Sequence, residues 1–447
     1  MPVCPIDTGR YGLPEMVKLF DERTKYKLWL KVEAALAYAH AKLGNIPREA
    51  AKEIVKKASL KYVKISRIKE IESKINHDLM AMVKALTEVC EGDAGKYVHL
   101  GATSYDIEDS ALAIQLKKAC NILLKRLIML ENALLEKAEE YKNLVAVGRT
   151  HGIHASPITY GLKFAVWACE VDRHIERLKA CKTRIAVGKL RGATGTQASL
   201  GENAIELERI FLKKLGLKCP LATTQVIQRD RHCELIMITA LIAATMEKIA
   251  TEIRNLQRTE IAEVEEPFKE SQVGSSAMPA KRNPIICERI CGLARVIRSM
   301  VIPALENIVL WHERDLTNSS SERFIIPNSL ILTDYIVHLM TYVIENLKIK
   351  RDKIAENLKL TNGLNMSEAL VIKLVEKGLG RQEAHELIRE IAMEAQLKGT
   401  SFKNLLLKDY RIQKLLTKDE IEEALDPRNF IGTAVTQVEE CIKKLRK

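Results

Sequence analysis

The chain has 447 residues, 47% of them hydrophobic, so it can bury a large core spread over roughly two to four domains. Its net charge of +12 comes from Lys and Arg interleaved with Glu, without the long basic runs that would favour nucleic acid. No stretch approaches the ~18 uncharged apolar residues of a membrane span, and no secretory signal is visible. The ten cysteines lack CxxC pairs, so we expect reduced thiols in a cytoplasmic protein.

Gaps between Gly and Pro residues, together with one helix-start signal, predict the first three long helices. Between Ala102 and Val147, Leu recurs at steps of three and four, which predicts a helix of about ten turns with one apolar stripe. The cap-then-proline pair Ser156–Pro157 predicts the start of a second helix, which runs towards Val187. A third helix is predicted within Leu221–Glu266.

Two more long helices are predicted in the second half of the chain. One opens at Asn283–Pro284 and reaches about His312, with a kink at Pro303. The other extends from about Ser321 towards Leu358, interrupted near Pro327. Runs of alternating β-branched residues are nearly absent, so strands are not expected.

Helices of this length predict an all-α fold, with an elongated central helix bundle and smaller helical N- and C-terminal domains. We place the N-terminal domain at 1–105, the long-helix bundle at 106–355 and the C-terminal domain at 356–447. The C-terminal part contains an amphipathic helix, GLGRQEAHELIREIAMEA, with its own start signal.

The segment SQVGSSAMPAKRNP, Ser271–Pro284, carries the clearest chemical signal. It is a loop of small residues with two hydroxyls, followed by Lys281, Arg282 and a helix start whose free N–H groups favour an anion. Such a segment is suited to a lid over a carboxylate substrate. An ordinary polar linker between helices is the alternative on composition alone.

A second segment, VGRTHGIHASPIT, lies between the first two long helices. His151 next to Gly152 could face a cleft and titrate near neutrality, whereas we interpret His154 as a structural histidine. Metal binding is not expected, because HxxH has no third ligand at a characteristic spacing.

Three further segments have polar residues at predicted helix breaks. Thr103 and Ser104 precede the first long helix, either as substrate contacts or as capping residues. His77 stands beside Asp78, a pair that could orient an imidazole. A serine cluster precedes Arg323, which suits phosphate or carboxylate, with surface ion pairs as the alternative.

Several of these motifs resemble one enzyme family. GSSAMPAKRNP closely resembles the signature loop of the fumarase/aspartase superfamily of lyases, and the match to its adenylosuccinate lyase branch extends over essentially the whole chain. GRYGLPEM, NHDL, HLGATSYD, GRTHGIHA, TQVIQRDRH and HERDLTNSSSER all occur in the order found in that branch.

The resemblance implies a role for each matching residue. Ser275 matches the general base and His151 the general acid. Arg10 and Tyr11 match phosphate contacts, with Ser319 and Arg323 near the same group. The other residues that match substrate contacts are Asn76, His77, Asp78, Thr103, Ser104, Gln225, Ser276, Lys281, Arg282 and Asn283. Two departures, Ala280 and Ser156, stand beside the catalytic positions and affect substrate contacts more than reaction type.

The implied reaction is elimination of fumarate from adenylosuccinate, giving AMP, and from the succinyl-carboxamide imidazole ribotide of purine biosynthesis. Removing a proton next to a carboxylate creates a dianion, which Lys281, Asn283 and the helix start would stabilise. A cationic imidazole can protonate the departing amine, and no metal or organic cofactor is needed. The resemblance further implies a homotetramer with sites shared between subunits.

Three other functions are compatible with parts of the sequence. A different lyase of the superfamily, such as argininosuccinate lyase or a carboxymuconate cycloisomerase, would not need the phosphate contacts at Arg10 and Tyr11. A non-catalytic scaffold should have lost Ser275, His151 or Lys281, and all three are present. A nucleic-acid binder is disfavoured by the charge layout.

Overall fold

The structure, a computed structural model, describes residues 3–269, 271–272 and 274–446. Its first ten helices are α1 (Pro14–Leu19), α2 (Glu22–Lys42), α3 (Arg48–Lys57), α4 (Ile65–Ile75), α5 (Asp78–Val89), α6 (Ser104–Glu140), α7 (Tyr160–Ile185), α8 (Ala204–Leu215), α9 (Asp230–Leu256) and α10 (Ile285–Ser299). The remaining helices are α11 (Val301–Glu306), α12 (Thr317–Glu345), α13 (Arg351–Lys359), α14 (Ser367–Glu376), α15 (Arg381–Lys398), α16 (Phe402–Leu406), α17 (Tyr410–Gln413), α18 (Lys418–Ala424) and α19 (Ala434–Leu445).

Four short strands accompany the helices in the described part of the chain. They are β1 (Val145–Thr150), β2 (Ile153–Thr159), β3 (Val264–Glu265) and β4 (Lys348–Ile349), and they form two antiparallel pairs, β1–β2 and β3–β4. Short 3₁₀ helices lie at Ala94–Tyr97, Ala198–Leu200, Leu364–Met366 and Pro427–Asn429. The predicted all-α class is therefore confirmed, with two small pairs of strands added to it.

The chain forms two compact units, each built from separated segments. Unit 1 comprises the residues up to Leu127, His174–Ala244 and Gly292–His338, and unit 2 comprises Ile128–Arg173, Thr245–Cys291 and the residues from Leu339 onwards. The boundaries fall within five long helices, α6, α7, α9, α10 and α12. The division into domains at 1–105, 106–355 and 356–447 remains a prediction.

Unit 1 contains an apolar core against which α5 and the first turns of α6 pack. Trp29, Leu86 and Phe211 belong to one buried cluster contributed by helices α2, α5 and α8. The helix α4 ends where Asn76 adopts a left-handed conformation with φ of 51°, which Asn tolerates better than most residues. The polar residues that follow are thereby placed at the start of α5, above a rigid core.

Unit 2 has its own core and carries the β1–β2 hairpin. Leu370, Ile388, Phe402 and Ile421 belong to a buried cluster formed mainly by helices α14 to α18. In the hairpin, Thr150 pairs with Ile153, so the turn consists of two residues with positive φ, 55° and 79°. A two-residue turn of this kind matches the twist of the flanking strands.

The first predicted long helix is confirmed, but the predicted start of the second was wrong. Helix α6 has 37 residues, as the leucine spacing predicted. Ser156 and Pro157, the predicted start of the second helix, instead lie in β2, and α7 begins at Tyr160. Pro157 pairs with Val147 next to an irregularity of the ladder, where the missing proline N–H is tolerated.

The two proline predictions were also wrong. The predicted single helix over 283–312 is divided into α10 and α11 around Met300. Pro303 lies in the first turn of α11, where the backbone N–H that proline lacks would have had no acceptor within the helix. Helix α12 continues through Pro327 without interruption and ends at Glu345. Buried Ile326 and Leu330 on either side of Pro327 anchor that helix despite the missing hydrogen bond.

Among the described helices, α12 is the one that is long and apolar enough, by length and composition alone, to cross a membrane. The relevant window has a mean hydropathy of 1.3, and 67% of it is buried inside the protein. A core helix passes the same test, so length and composition do not distinguish the two.

Candidate active site

A polar cavity of about 620 Å³ in unit 1 gathers eight of the predicted substrate-contact residues. All residues that line it belong to unit 1. The predicted residues in its lining are Asn76, His77, Asp78, Thr103, Ser104, Gln225, Ser319 and Arg323. They come from four separate parts of the sequence, which is the arrangement expected of a binding site assembled by the fold.

His77 has a defined orientation in this cavity. As the N-cap of α5, its Nδ1 accepts a hydrogen bond from the backbone N–H of Met80 at 3.4 Å. A ring nitrogen that accepts a hydrogen bond carries no proton of its own, so the neutral imidazole holds its proton on Nε2. Nε2 lies 3.4 Å from Oγ of Ser104 and can donate to it.

Asp78 has a different role from the one that the sequence suggested. Its Oδ1 is 4.0 Å from Nδ1 of His77, and it accepts instead from the backbone N–H of Leu79. Oδ2 lies 3.1 Å from the Arg323 guanidinium and 3.8 Å from the Lys25 ammonium. The prediction that Asp78 orients the imidazole is therefore wrong, because the start of α5 performs that task and Asp78 holds Arg323.

Gln225 is held at both ends of its amide. Its Nε2 donates to the carbonyl of Ala193 at 2.8 Å, and its Oε1 accepts from Arg314 at 3.0 Å. The Arg314 guanidinium in turn stacks 3.6 Å from the centre of the Tyr105 ring. Sequence reasoning missed Arg314 and Tyr105, although both lie within the motifs that carry the family resemblance.

Thr103 and Ser104 occupy the start of α6. The backbone N–H of Thr103 donates to Oδ2 of Asp106 at 2.9 Å, and Asp106 is itself buried against Lys189. Asp109, on the same helix, is buried and paired with Arg229 at 2.9 Å. Thr103 and Ser104 both line the cavity, where the Ser104 hydroxyl lies 3.4 Å from Nε2 of His77.

Arg10 and Tyr11 also belong to unit 1 but do not line this cavity. Arg10 is exposed, and its Nε lies 3.4 Å from the hydroxyl of Tyr11. This hydrogen bond raises the pKa of the Arg10 guanidinium. Their predicted phosphate contact therefore remains a prediction.

His151 lies at the tip of the β1–β2 hairpin in unit 2. Its φ of 55° is sustained by the turn that it forms with Gly152, and its side chain is exposed. The register on either side of the turn fixes where the imidazole projects. An imidazole on a rigid two-stranded support is well suited to proton transfer.

A buried carboxylate fixes the base of this hairpin. Glu263 is only 1% exposed, and it accepts hydrogen bonds from Arg149 at 2.6 Å, from the Tyr160 hydroxyl at 2.6 Å and from Asn357 at 2.9 Å. Burial by itself raises the pKa of Glu263, but these three donors outweigh it and leave the pKa below its ordinary value. Glu263 is therefore ionised and holds Arg149, two residues before His151.

The two polar residues that follow His151 are held within unit 2. Ser156 donates to Oε2 of Glu368 at 2.6 Å, so the serine at this departure from the family pattern pairs with a carboxylate elsewhere in the unit. Burial and the nearby Arg149 lower the pKa of His154. A neutral, enclosed His154 agrees with its interpretation as a structural histidine.

Ser275 lies in a tight turn of the signature loop. Its Oγ accepts from two backbone N–H groups, of Ala277 at 3.3 Å and of Met278 at 3.1 Å. Donors directed at an oxygen stabilise its anionic form more than its neutral form. The turn therefore favours an alkoxide at Ser275.

The rest of the signature loop is exposed and cationic. Ser276 and Lys281 are exposed, and Asn283 donates to the carbonyl of Gly274 at 2.9 Å, closing the loop on itself. Arg282 forms an ion pair with Glu265 at 2.7 Å. The Lys281 ammonium is therefore accessible from solvent.

The start of α10 is not available to an anion in the way that the sequence suggested. The carboxylate of Glu266 accepts from the backbone N–H groups of Ile286 at 3.0 Å and Cys287 at 3.1 Å. A carboxylate from the same chain thereby caps the helix and meets its dipole. The expectation of free N–H groups behind Pro284 is wrong for this reason.

Comparisons with known proteins identify the family of the chain. Residues 9–299 match the family described as lyase, and residues 363–441 match the family described as adenylosuccinate lyase C-terminus. The chain is similar to the adenylosuccinate lyase of Methanocaldococcus jannaschii, with 51% identity over 100% of this chain and 96% of the relative. It is also similar to the adenylosuccinate lyase of Pyrococcus abyssi, with 53% identity over 99% of this chain and 98% of the relative.

A solved structure supports the same assignment. The fumarate lyase of Mesorhizobium sp. BNC1 has a TM-score of 0.91 and 29% sequence identity, covering 99% of this chain and 100% of that one. Both the sequence relatives and the structural neighbour extend over essentially the full chain. The chain is a lyase and belongs to the adenylosuccinate lyase family.

Proposed function

We propose that this chain eliminates fumarate from adenylosuccinate, giving AMP, and from the succinyl-carboxamide imidazole ribotide, giving the carboxamide imidazole ribotide. The observation that carries the mechanism is the pair of backbone N–H groups directed at Oγ of Ser275. An ordinary serine hydroxyl is too weak an acid to act as a base near neutral pH. A serine in this turn is better suited to that role than one with free rotation.

In the proposed first step, the Ser275 alkoxide removes a proton from the carbon next to a succinyl carboxylate. The electron pair moves into that carboxylate and produces a dianionic intermediate. The Lys281 ammonium supplies positive charge to this intermediate, since the start of α10 is already capped by Glu266. Asn283, Arg282 and Ser276 complete the carboxylate-binding surface of the loop.

In the second step, the electron pair held in the dianion forms the double bond of fumarate. The bond between the succinyl carbon and the nitrogen breaks, and His151 donates a proton to the departing nitrogen. The hairpin and the Arg149–Glu263 pair support the position of the imidazole. In the products, neither the fumarate carbon nor the nucleotide nitrogen of the former bond carries a charge. This acid–base sequence needs no metal or organic cofactor.

The cavity of unit 1 is the proposed nucleotide site. Ser319 and Arg323 are assigned to phosphate, with Arg10 and Tyr11 as further phosphate contacts. Asn76, His77, Asp78, Thr103, Ser104 and Gln225 are assigned to the rest of the substrate. The fixed imidazole proton of His77 and the fixed amide of Gln225 provide directional recognition.

We also propose a cytoplasmic homotetramer whose sites combine residues of several subunits. Unit 1 exposes large apolar side chains in and after α11, including Ile302 at 61%, Val309 at 74% and Trp311 at 76% exposed. A clustered apolar surface of this kind favours contact with another protein surface. The partner that we propose for this surface is a second copy of the chain. We propose no nucleic-acid partner and no membrane partner.

A spectrophotometric assay with adenylosuccinate and argininosuccinate as alternative substrates tests the proposed reaction. We expect turnover of adenylosuccinate only, because argininosuccinate carries no phosphate for Ser319 and Arg323. Turnover of argininosuccinate, or of a carboxymuconate, without turnover of adenylosuccinate would replace the proposal with another lyase of the superfamily.

A further inference from the structure

Glu108 stands in the wall between two cavities of unit 1. It lies one turn after Ser104 on α6 and lines both the 620 Å³ cavity and a second cavity of about 220 Å³. Tyr105, Ser319 and Arg323 are the other residues common to both linings. Glu108 is therefore next to the two side chains that we assign to the substrate phosphate.

The carboxyl of Glu108 lacks the partners that its neighbour has. Asp109 accepts hydrogen bonds from the Ile227 N–H at 2.8 Å and from Arg229 at 2.9 and 3.1 Å. Within the described part of the chain, no group donates a hydrogen bond to Glu108. The two consecutive acids thus have opposite environments.

Two of the cations near Glu108, Arg323 and Arg229, are already paired with other carboxylates. Arg323 pairs with Asp78, which Lys25 also approaches. Arg229 is shared between Asp109 and Glu322 at 2.9 Å each. Enclosing a carboxylate here would leave its charge poorly compensated.

Four charged groups act on Glu108 from its surroundings. Asp78 at the start of α5 and Asp109 on the same helix repel a negative charge, whereas Arg323 and Arg314 attract it. Burial has the largest effect and, with the two acids, raises the pKa of Glu108 to about 8. Near neutral pH the side chain is consequently a neutral acid.

We propose that Glu108 is a specificity residue that must carry its proton when the substrate phosphate binds at Ser319 and Arg323. A neutral carboxyl can donate a hydrogen bond to a phosphate oxygen, whereas a carboxylate would repel it. This inference rests on the proposed function, because it takes the ligand of the cavity to be a phosphorylated nucleotide.

Linkage gives the sign of the pH dependence. A bound phosphate dianion raises the pKa of Glu108 further, so the complex holds more protons than the free protein. Binding therefore takes up a proton and weakens as the pH rises above about 8. If only the protonated form of Glu108 allows the phosphorylated ligand to bind, the affinity for that ligand falls by about tenfold or more between pH 7 and pH 9.5.

Calorimetric titration with AMP and with adenosine tests the inference, since neither ligand reacts without fumarate. At pH 8, in two buffers of different ionisation enthalpy, AMP should take up about half a proton per site. Adenosine should take up much less. Glu108→Gln, which resembles the neutral acid, should bind AMP without proton uptake and with a flat affinity up to pH 9.5.

Glu72→Gln is the matched control, because Glu72 lines the larger cavity but not the shared wall. It should keep the pH dependence of the unmodified protein. An AMP affinity that stays flat from pH 7 to 9.5, a Glu108→Gln variant that keeps the slope, or an equal dependence for adenosine would each overturn the inference. Failure of AMP to bind at any pH would instead overturn the proposed nucleotide site, and this inference with it.

Discussion

At the residue scale, a substitution of Ser275 distinguishes catalysis from binding. In the proposed mechanism its hydroxyl acts on a proton and not on the phosphate, so Ser275→Ala should lower kcat by about 10²–10⁴-fold while nucleotide binding survives. Single-turnover assays and calorimetric binding of adenylosuccinate measure the two effects. Ser271→Ala makes the same chemical change at an exposed position of the same loop and should retain activity. Loss of binding in a folded Ser275→Ala protein would make this residue a ligand contact.

Buried Glu263 supports His151 indirectly in the proposed mechanism, through its ion pair with Arg149. Glu263→Gln leaves Arg149 without its buried counter-charge, so we expect a loss of roughly 3–5 kcal/mol in the free energy of unfolding. We also expect a lower kcat with little change in KM, because Arg149 precedes His151 by two residues. Denaturant titration and steady-state kinetics provide the measurements.

The neighbouring surface acid provides the control for that substitution. Glu260 is 72% exposed on its side chain and lies 3.6 Å from Arg258. Glu260→Gln should change stability by less than about 1 kcal/mol, as exposed ion pairs do. Equal effects of the two substitutions would show that the buried network around Glu263 is not what stabilises the hairpin.

At the scale of elements, the β1–β2 hairpin depends on a close approach of its two strands. A Cβ at Gly148 would lie 2.5 Å from the backbone oxygen of Ser156, and backbone cannot move aside as a flexible side chain can. Gly148→Ala should therefore displace the ladder, reduce stability by about 1–3 kcal/mol and lower activity through His151. Thermal denaturation and the fumarate-release assay measure both.

Gly292→Ala is the matched substitution in a helix. A Cβ at Gly292 meets nothing within 4 Å, and alanine favours a helix interior more than glycine does. We expect this variant to be as stable as the unmodified protein or more stable, by up to ~1 kcal/mol. If both alanines destabilise equally, strand separation is not the reason for the glycine in β1.

The hairpin also shows where sequence reasoning could not reach. Leucine spacing identified α6 because one helical stripe repeats for ten turns. Ser156–Pro157 has the local signature of a helix start, but pairing with the strand at Val147 outweighs that preference. A six-residue strand offers too few positions for its period to be recognised beside long helices.

At the scale of the whole molecule, the distribution of the predicted residues suggests a shared site. Asn76, Ser104 and Arg323 belong to unit 1, whereas His151 and Ser275 belong to unit 2. Within the described residues, no hydrogen bond or ion pair joins the β1–β2 hairpin to the loop at Gly274–Asn283. The proposal that neighbouring chains complete each site is compatible with both features.

Complementation tests this arrangement. The inactive variants His151→Ala and Ser275→Ala are unfolded, mixed in equal amounts and refolded together. If the two residues of a site come from different chains, random mixing restores about a quarter of the sites. Size-exclusion chromatography with differently tagged variants verifies that hybrids form. Hybrids without activity would place both residues of a site on one chain.

Much of the candidate site could be predicted from the sequence motifs, since eight of the predicted substrate contacts line one cavity. The motifs could not reveal the roles of Asp78, Glu266 or Glu263, because each of these acids acts on a residue that is distant in sequence or on a helix start. Glu108 carried no signal either. Its environment follows from burial and from cations already engaged elsewhere, which a sequence does not display.

The wall shared by the two cavities has a consequence for the evolution of substrate range. Behind Tyr105 and Glu108, the smaller cavity of about 220 Å³ has a mixed lining, with Phe20, Trp29 and Leu112 beside polar residues such as Gln115. Shortening one side chain of the wall would add this space to the proposed nucleotide site without moving the backbone. A single codon change would therefore admit analogues with an additional substituent, and the same space offers inhibitor chemists a place to extend a nucleotide scaffold.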